Sequence, residues 1–115
     1  MNHNSSGKTV IVTGGTRGIG ADIARAFATD GATVFVGART ETPAVRDLGA
    51  NVHFVKMDVA KAEDHRRIVS VAMEKTGRLD VYVNNAGVSQ WRPVEDIDEA
   101  FWKMMIEVNL SGVFW

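Results

Sequence analysis

Cysteine is absent from this 115-residue chain, which excludes disulfides and thiolate metal sites. A reducing cytoplasm fits that absence. Runs of like charge are missing too: Lys+Arg 13 stand against Asp+Glu 14, for a formal net charge of -1. That balance leaves no electrostatic footprint for a nucleic-acid backbone. The apolar stretch Val10-Ile11-Val12 falls far short of the roughly 20 residues that a bilayer span requires. Met1 to Gly7 is polar, without the basic and apolar regions of a signal peptide, and reads as a short, loose tail. Neither nucleic acid nor membrane is therefore an expected partner. The histidines do not have metal-ligand spacing. His3 lies in the tail, and His53 alternates with apolar neighbours on a strand. His65 stands among Glu63, Asp64, Arg66 and Arg67 on what reads as a solvated helix face.

What is present is an ordinary globular composition, 45% hydrophobic and 23% charged, in a length suited to one small domain. Apolar runs rich in β-branched residues alternate with helical patterns. Lys8–Thr13, Thr33–Ala38, Val52–Met57 and Leu79–Val83 read as strands. Gly18–Thr29 reads as a helix with Ile19, Ile23 and Phe27 on its apolar face. Thr42–Leu48 holds at most two helical turns. Lys61–Thr76 is a polar helix with Ile68 and Ala72 inward, and Asp98–Trp115 is a helix running to the last residue. Gly31, Gly49 and Gly77 stop the first three helices shortly before a strand. Strands separated by helices are parallel strands joined by crossovers, so the fold class is α/β with a doubly wound parallel sheet. No linker or second domain is visible. The domain spans residues 8–115.

Thr13-Gly14-Gly15-Thr16-Arg17-Gly18-Ile19-Gly20 joins the first strand to the first helix. A diphosphate needs backbone N–H donors at close range, and a helix N-terminus supplies them with the positive end of a dipole. Glycine clears the approach and lets helix and strand pack closely. A tight turn with glycines for geometry alone is the alternative, but the strand-turn-helix context favours a dinucleotide.

The glycine spacing G-x-x-x-G-x-G resembles that of the short-chain dehydrogenase/reductase family. Asn84-Asn85-Ala86-Gly87, Asp58-Val59 and Val108-Asn109 match further signatures of that family in the same order. The resemblance covers essentially the whole chain after the tail. It implies a Rossmann-type sheet truncated to about four strands in the order 3-2-1-4. It also implies a nicotinamide cofactor held by Gly14, Thr16, Arg17, Gly18, Ile19 and Gly20 at the diphosphate. Asp58 and Val59 would meet the adenine, and Asn85, Ala86 and Gly87 the ribose. Asn84 would tie neighbouring strands together. Asn109 matches the family's catalytic asparagine, which holds a relay water and shapes its helix. Each has a plainer alternative: Asp58 as a charge at the next helix N-terminus, Asn109 as a kink without function.

The family's NAD-selecting acidic residue ends the second strand. Here that position is Ala38, followed by Arg39, which Arg17 can join. Two guanidiniums suit a ribose 2′-phosphate, so NADP is the expected cofactor and NAD the alternative. At roughly 1.5 kcal/mol per contact, the pair gives about 3 kcal/mol, or a ~100-fold preference. Two solvated arginines are the alternative.

Hydride transfer to a carbonyl also needs a proton donor. In the family that is a tyrosine four residues before a lysine, with a serine polarising the carbonyl. Tyr82 lies within a strand and is followed four places later by Ala86; Ser89 and Ser111 are not in the serine's context. The resemblance thus implies about half of a family domain, either part of a longer protein or a natural truncation, and the apolar final helix favours the former. The whole protein is expected to be an NADP-dependent oxidoreductase acting on a small ketone or alcohol. This chain would supply cofactor binding only and be inactive alone. A catalytically inert nucleotide-binding or interaction module is the rival. Gln90 and Trp91 could line the nearer side of a substrate pocket. The Trp and Met cluster at the end of the chain reads as core or interface. With the fourth strand left as an open edge, a homo-oligomer is expected.

Overall fold

The β-branched run Thr9–Thr13 forms strand β1, and all its residues are buried. A strand apolar on both faces belongs inside a sheet covered on both sides. In the computed structural model, which describes residues 5–16, 18–86 and 93–114, β1 lies between β2 (Thr33–Ala38) and β4 (Val81–Val83), with β3 (Val52–Lys56) beyond β2. The order is 3-2-1-4 and every pairing is parallel. The doubly wound α/β class read from the sequence is the one the chain adopts. β4 is shorter than the sequence suggests, because a side chain replaces a ladder partner at its start. Asp80 Oδ2 accepts from the Thr9 N–H at 2.8 Å, and the Asp80 N–H donates to the Thr9 carbonyl at 3.0 Å.

Alternation along the strands divides the core in two. On one face, Val10, Val12, Val34 and Val36 meet helix α1 (Gly18–Thr29) and a 3₁₀ turn (Pro43–Leu48) through Val45 and Leu48. On the other, Ile11 and Phe35 meet Ile68 and Ala72 of helix α2 (Ala62–Thr76), with Met57 and Val59 from the connection that precedes it. Two expectations about helix faces change. The face that α1 buries is Gly20, Ala21, Ala24 and Ala28, with Ile23 and Phe27 at its flanks and Ile19 74% exposed. Small residues let the helix axis lie close to the valine surface, and that close approach displaces the larger side chains to the rim. His65 is also not solvated: it is buried at 5% exposure on the face of Ile68 and Ala72. Its charged chain neighbours mislead, because adjacent helical residues point in different directions.

Ser5 is buried, and its N–H donates to Asp30 Oδ2 at 2.9 Å, so the expected loose tail is tied at its inner end. After β4 and a 3₁₀ turn (Val94–Asp96), helix α3 (Glu99–Ile106) begins at Asp98, whose side chain accepts from the Phe101 N–H. It continues through a wide π-helical stretch (Glu107–Ser111) into α4 (Gly112–Phe114). The single helix expected from Asp98 onward is thus present but locally unwound; Trp115 lies outside the described residues. No described helix is long and apolar enough to cross a membrane.

Candidate functional site

The chain leaves β1 at Thr13 and turns at Gly14, whose φ of 69° lies in the left-handed region that glycine reaches without strain. The Gly14 N–H donates to the Gly37 carbonyl at 2.7 Å, which fixes the turn to β2. The glycines here do different work. A Cβ on Gly15 would run into Val36, so that residue seats the turn on the sheet. A Cβ on Gly20 would lie 2.5 Å from Asn85 Nδ2 and closer still to the Gly14 carbonyl oxygen, so that residue lets α1 touch both strand ends. Gly18 has φ 61°, and among the described residues, its own chain neighbours and helix backbone aside, nothing lies within 4 Å of its Cβ position. The first turn of α1 has no acidic residue, leaving its N–H groups and positive dipole end without a carboxylate of its own. This is the geometry into which a phosphate group fits.

That turn opens onto a cleft of about 340 Å³ along the C-terminal ends of the strands. Gly14 and Thr16 enter it after β1, and Arg39 and Thr40 after β2. Met57, Asp58 and Val59 follow β3, and Asn85 and Ala86 follow β4. The chain changes direction across the sheet between β1 and β4, the place where open α/β sheets form ligand crevices. Asp58 is half-buried and lines the cleft; its Oδ1 accepts from the Ala60 N–H at 3.0 Å, and no bond to its Oδ2 is found among the described residues. Arg39 is exposed at the rim, and among the described residues no carboxylate pairs with it.

The sequence-derived residues Gly14, Thr16, Arg39, Asp58, Val59, Asn85 and Ala86 therefore share one cleft. Gly18 and Gly20 sit at its α1 end, whereas Ile19 points to solvent. Arg17, Gly87, Ser89, Gln90 and Trp91 lie outside the described residues. Asn109 occupies the π-helical stretch beside the cleft residue Val108, its Nδ2 near Met105 Sδ at 3.9 Å. Such wide turns concentrate at functional sites.

Sequence reasoning missed the hydroxyl that organises the seam. Thr13 Oγ1 accepts from the N–H groups of Asn85 and Ala86, each at 3.1 Å, and donates to the Val83 carbonyl at 3.4 Å. Its position at the end of a buried strand was the available signal. Asn85, not Asn84, ties the strand ends, through that bond and one from its Nδ2 to the Gly14 carbonyl at 3.4 Å; Asn84 is exposed. Gly37 was missed as well. An isolated glycine in a strand marks a close approach, and here Met57 fills the space that a side chain on Gly37 would take.

The buried His65 reaches the cleft-lining residue Val59 from α2. Its Nε2 is 2.8 Å from the Val59 carbonyl and its Nδ1 is 2.5 Å from the Tyr82 hydroxyl. A carbonyl only accepts, so Nε2 carries the proton and donates to Val59, while Nδ1 accepts from Tyr82. Burial pushes the Tyr82 hydroxyl up to about 12, so it remains a donor at neutral pH. His53, stacked on Phe35 at 5.2 Å, is held below the usual histidine range by burial and then by Lys75.

A profile of the short chain dehydrogenase family matches residues 8–115. An uncharacterized oxidoreductase of Methylorubrum extorquens is 40% identical over 93% of this chain, and the match covers 46% of that protein. A 3beta-hydroxysteroid dehydrogenase of Eggerthella lenta is 36% identical over 99% of the chain and 46% of its own length. An L-fucose dehydrogenase of Bos taurus is 42% identical over 99% and 43% respectively. The crystal structure of a short chain dehydrogenase from Bacillus anthracis superposes with a TM-score of 0.87 at 32% identity, covering 96% of this chain and 48% of that one. The chain spans about half the length of the curated relatives it matches.

Proposed function

The chain belongs to the short-chain dehydrogenase family, and from that premise we propose that it binds NADP in the cleft at the strand ends. It would form the cofactor-binding part of an oxidoreductase acting on a small ketone or alcohol. The observation that carries this reading is the glycine turn at the mouth of α1, where Gly14 and Gly18 take left-handed φ values and the first helical turn has no acidic residue. Gly14, Thr16, Gly18, Ile19 and Gly20, with Arg17, would hold the diphosphate. Asp58 Oδ2 would accept from the adenine amino group beside Val59, and Asn85, Ala86 and Gly87 would line the ribose. Arg39, exposed and without an ion-pair partner among the described residues, supports a 2′-phosphate over a bare hydroxyl, because a charge-assisted bidentate pair is stronger than a neutral contact. The bound nicotinamide would give a hydride to the ketone or take one from the alcohol. Asn109 would be the family's water-holding asparagine, and the serine and the Tyr-x-x-x-Lys pair have no counterparts in the 115 residues. Binding without turnover is therefore the expected behaviour of this chain.

Calorimetric titration with NADP and NAD tests the reading. The expected result is a ~100-fold preference for NADP, reduced at high salt and cut to about tenfold in Arg39→Ala. Equal affinity for both nucleotides overturns the NADP assignment, and no heat with either overturns the cofactor site. The open β4 edge, together with Trp102 and Phe114 exposed at 62% and 80%, supports self-association of the chain. Sedimentation as a monodisperse monomer would count against that.

A further inference from the structure

We propose that His65 is a positioning residue for the adenine end of the cleft, acting through the Val59 carbonyl and held in place by Tyr82. The proposal rests on the dinucleotide reading above and adds residues that no family signature in this chain contains.

Two consecutive residues in the first turn of α2 grip two consecutive residues of the segment that lines the cleft. Asp64 Oδ2 accepts from the Asp58 N–H at 2.8 Å. His65 Nε2–H donates to the Val59 carbonyl at 2.8 Å. One side chain thus fixes the N–H of the Met57–Asp58 peptide and the next fixes the C=O of the Val59–Ala60 peptide, so the two peptides that flank Asp58 and Val59 are held and with them the direction of the Asp58 side chain. The imidazole could meet Val59 only in one tautomer. The Tyr82 hydroxyl selects that tautomer by donating to Nδ1 at 2.5 Å, with the two rings stacked at 5.9 Å.

Tyr82 belongs to β4, whose C-terminal end carries Asn85 and Ala86 on the opposite wall of the cleft. The chain Tyr82–His65–Val59 therefore connects the two walls through one part-buried and one buried hydrogen bond. The terminal helix comes close to the same Val59 carbonyl: a Cβ on Gly112 would lie 2.9 Å from it. Moving that carbonyl would disturb Asp58 on one side and the helix carrying Val108 and Asn109 on the other. A buried histidine whose ring nitrogens are both engaged could be simply a satisfied core residue. A positioning role differs because it depends on one bond, the one to Val59.

Substitutions separate those bonds. His65→Gln places an amide donor near the former Nε2 and can still reach Val59. His65→Asn places its amide near the former Nδ1 and reaches only Tyr82. His65→Leu has neither bond, and Tyr82→Phe removes the hydroxyl while keeping the ring. The readouts are calorimetric affinity for ADP-ribose, urea midpoints, and the imidazole nitrogen NMR spectrum of the unmodified chain. The expected result is the Nε2–H tautomer, with about tenfold weaker ADP-ribose binding in His65→Leu and His65→Asn. Affinity in His65→Gln should stay within about twofold of the original, and Tyr82→Phe should fall between. If His65→Leu does not fold, the Gln–Asn contrast and Tyr82→Phe still decide. An Nδ1–H tautomer, or equal affinity in the Gln and Asn variants, overturns the positioning role while leaving the cofactor cleft intact. If the unmodified chain does not bind ADP-ribose, the cleft assignment itself fails and takes this inference with it.

Discussion

The two sides of β1 are built to different standards. Toward β2, Val10, Ile11, Val12, Val34, Phe35 and Val36 are wholly buried, with α1 pressed on the four valines through alanines and α2 covering Ile11 and Phe35. Toward β4 the strand is only half-buried, α3 has no buried residue, and most of the large exposed apolar side chains occur from Val94 onward. The candidate cleft lies on the seam, with Gly14 and Thr16 from the closed side and Asn85, Ala86 and Val108 from the open one. The phosphate end thus rests on a scaffold that is packed by itself. The opposite wall is held by a few directed bonds, those of Thr13, Asp80 and Tyr82. Segments with few buried contacts open locally at lower free energy than the core, so the ribose-facing wall should be the more mobile part of the site.

The largest effect that could break this contrast is in the core. Phe35→Ala empties a fully buried aromatic site on the closed side and should destabilise by about 3–5 kcal/mol. That approaches the whole stability of a small domain, roughly 5–15 kcal/mol. Trp102→Ala removes a larger side chain from the open side, yet at 62% exposure it should change stability by no more than about 0.5 kcal/mol. Urea midpoints measure both. Similar losses would mean that the two sides are equally part of one core.

An intermediate effect is expected at the seam. Gly20→Val would drive side-chain atoms into Asn85 and the Gly14 carbonyl, an overpacking worth about 1–3 kcal/mol. Because that clash separates α1 from the strand ends, dinucleotide affinity should fall by more than about tenfold even where the variant is folded. Retained affinity would show that the cleft tolerates independent movement of its two walls.

How much of this was legible beforehand follows from the kind of signal each residue carries. The strand order and the glycine turn were readable because β-branched runs and glycines at fixed spacing act locally. Asp58, Asn85 and Ala86 were readable through motifs that end strands. His65 was misread, since its immediate neighbours are charged and burial depends on the i, i+3 and i+7 face it shares with Ile68 and Ala72. The α1 face was misread because size was taken as the sign of burial, whereas close helix-sheet packing selects alanine and glycine. Thr13 at a strand end and Gly37 inside a strand each gave a local hint, but their partners, Asn85 and Ala86 for the one and Met57 for the other, lie farther along the chain.

The smallest expected effect concerns the pin that joins the closed strand to the open one. Asp80 bridges the two sides: its carboxylate accepts from the Thr9 N–H at 2.8 Å and from Arg78 at 2.8 Å (Nε) and 2.6 Å (Nη2). The Arg78 hydrogen bonds, followed by that from Thr9, hold the Asp80 carboxyl below the usual carboxylate range. A depressed folded value means that the charged form is favoured by folding. Its contribution is fully present above the unfolded carboxylate value of about 3.9, and is lost as pH falls through the lower folded value. Asp80→Asn keeps a neutral acceptor for Thr9 and removes only the charge. The variant should be slightly less stable at neutral pH, and the gap should close as the pH falls below about 4. Salt should narrow it as well, because the Arg78 pair is exposed. Hydrogen exchange should quicken at β4 amides in the variant and leave those of β2 unchanged. Equal quickening in both strands would mean that Asp80 supports the sheet as a whole, and the two sides of β1 would then form a single cooperative unit.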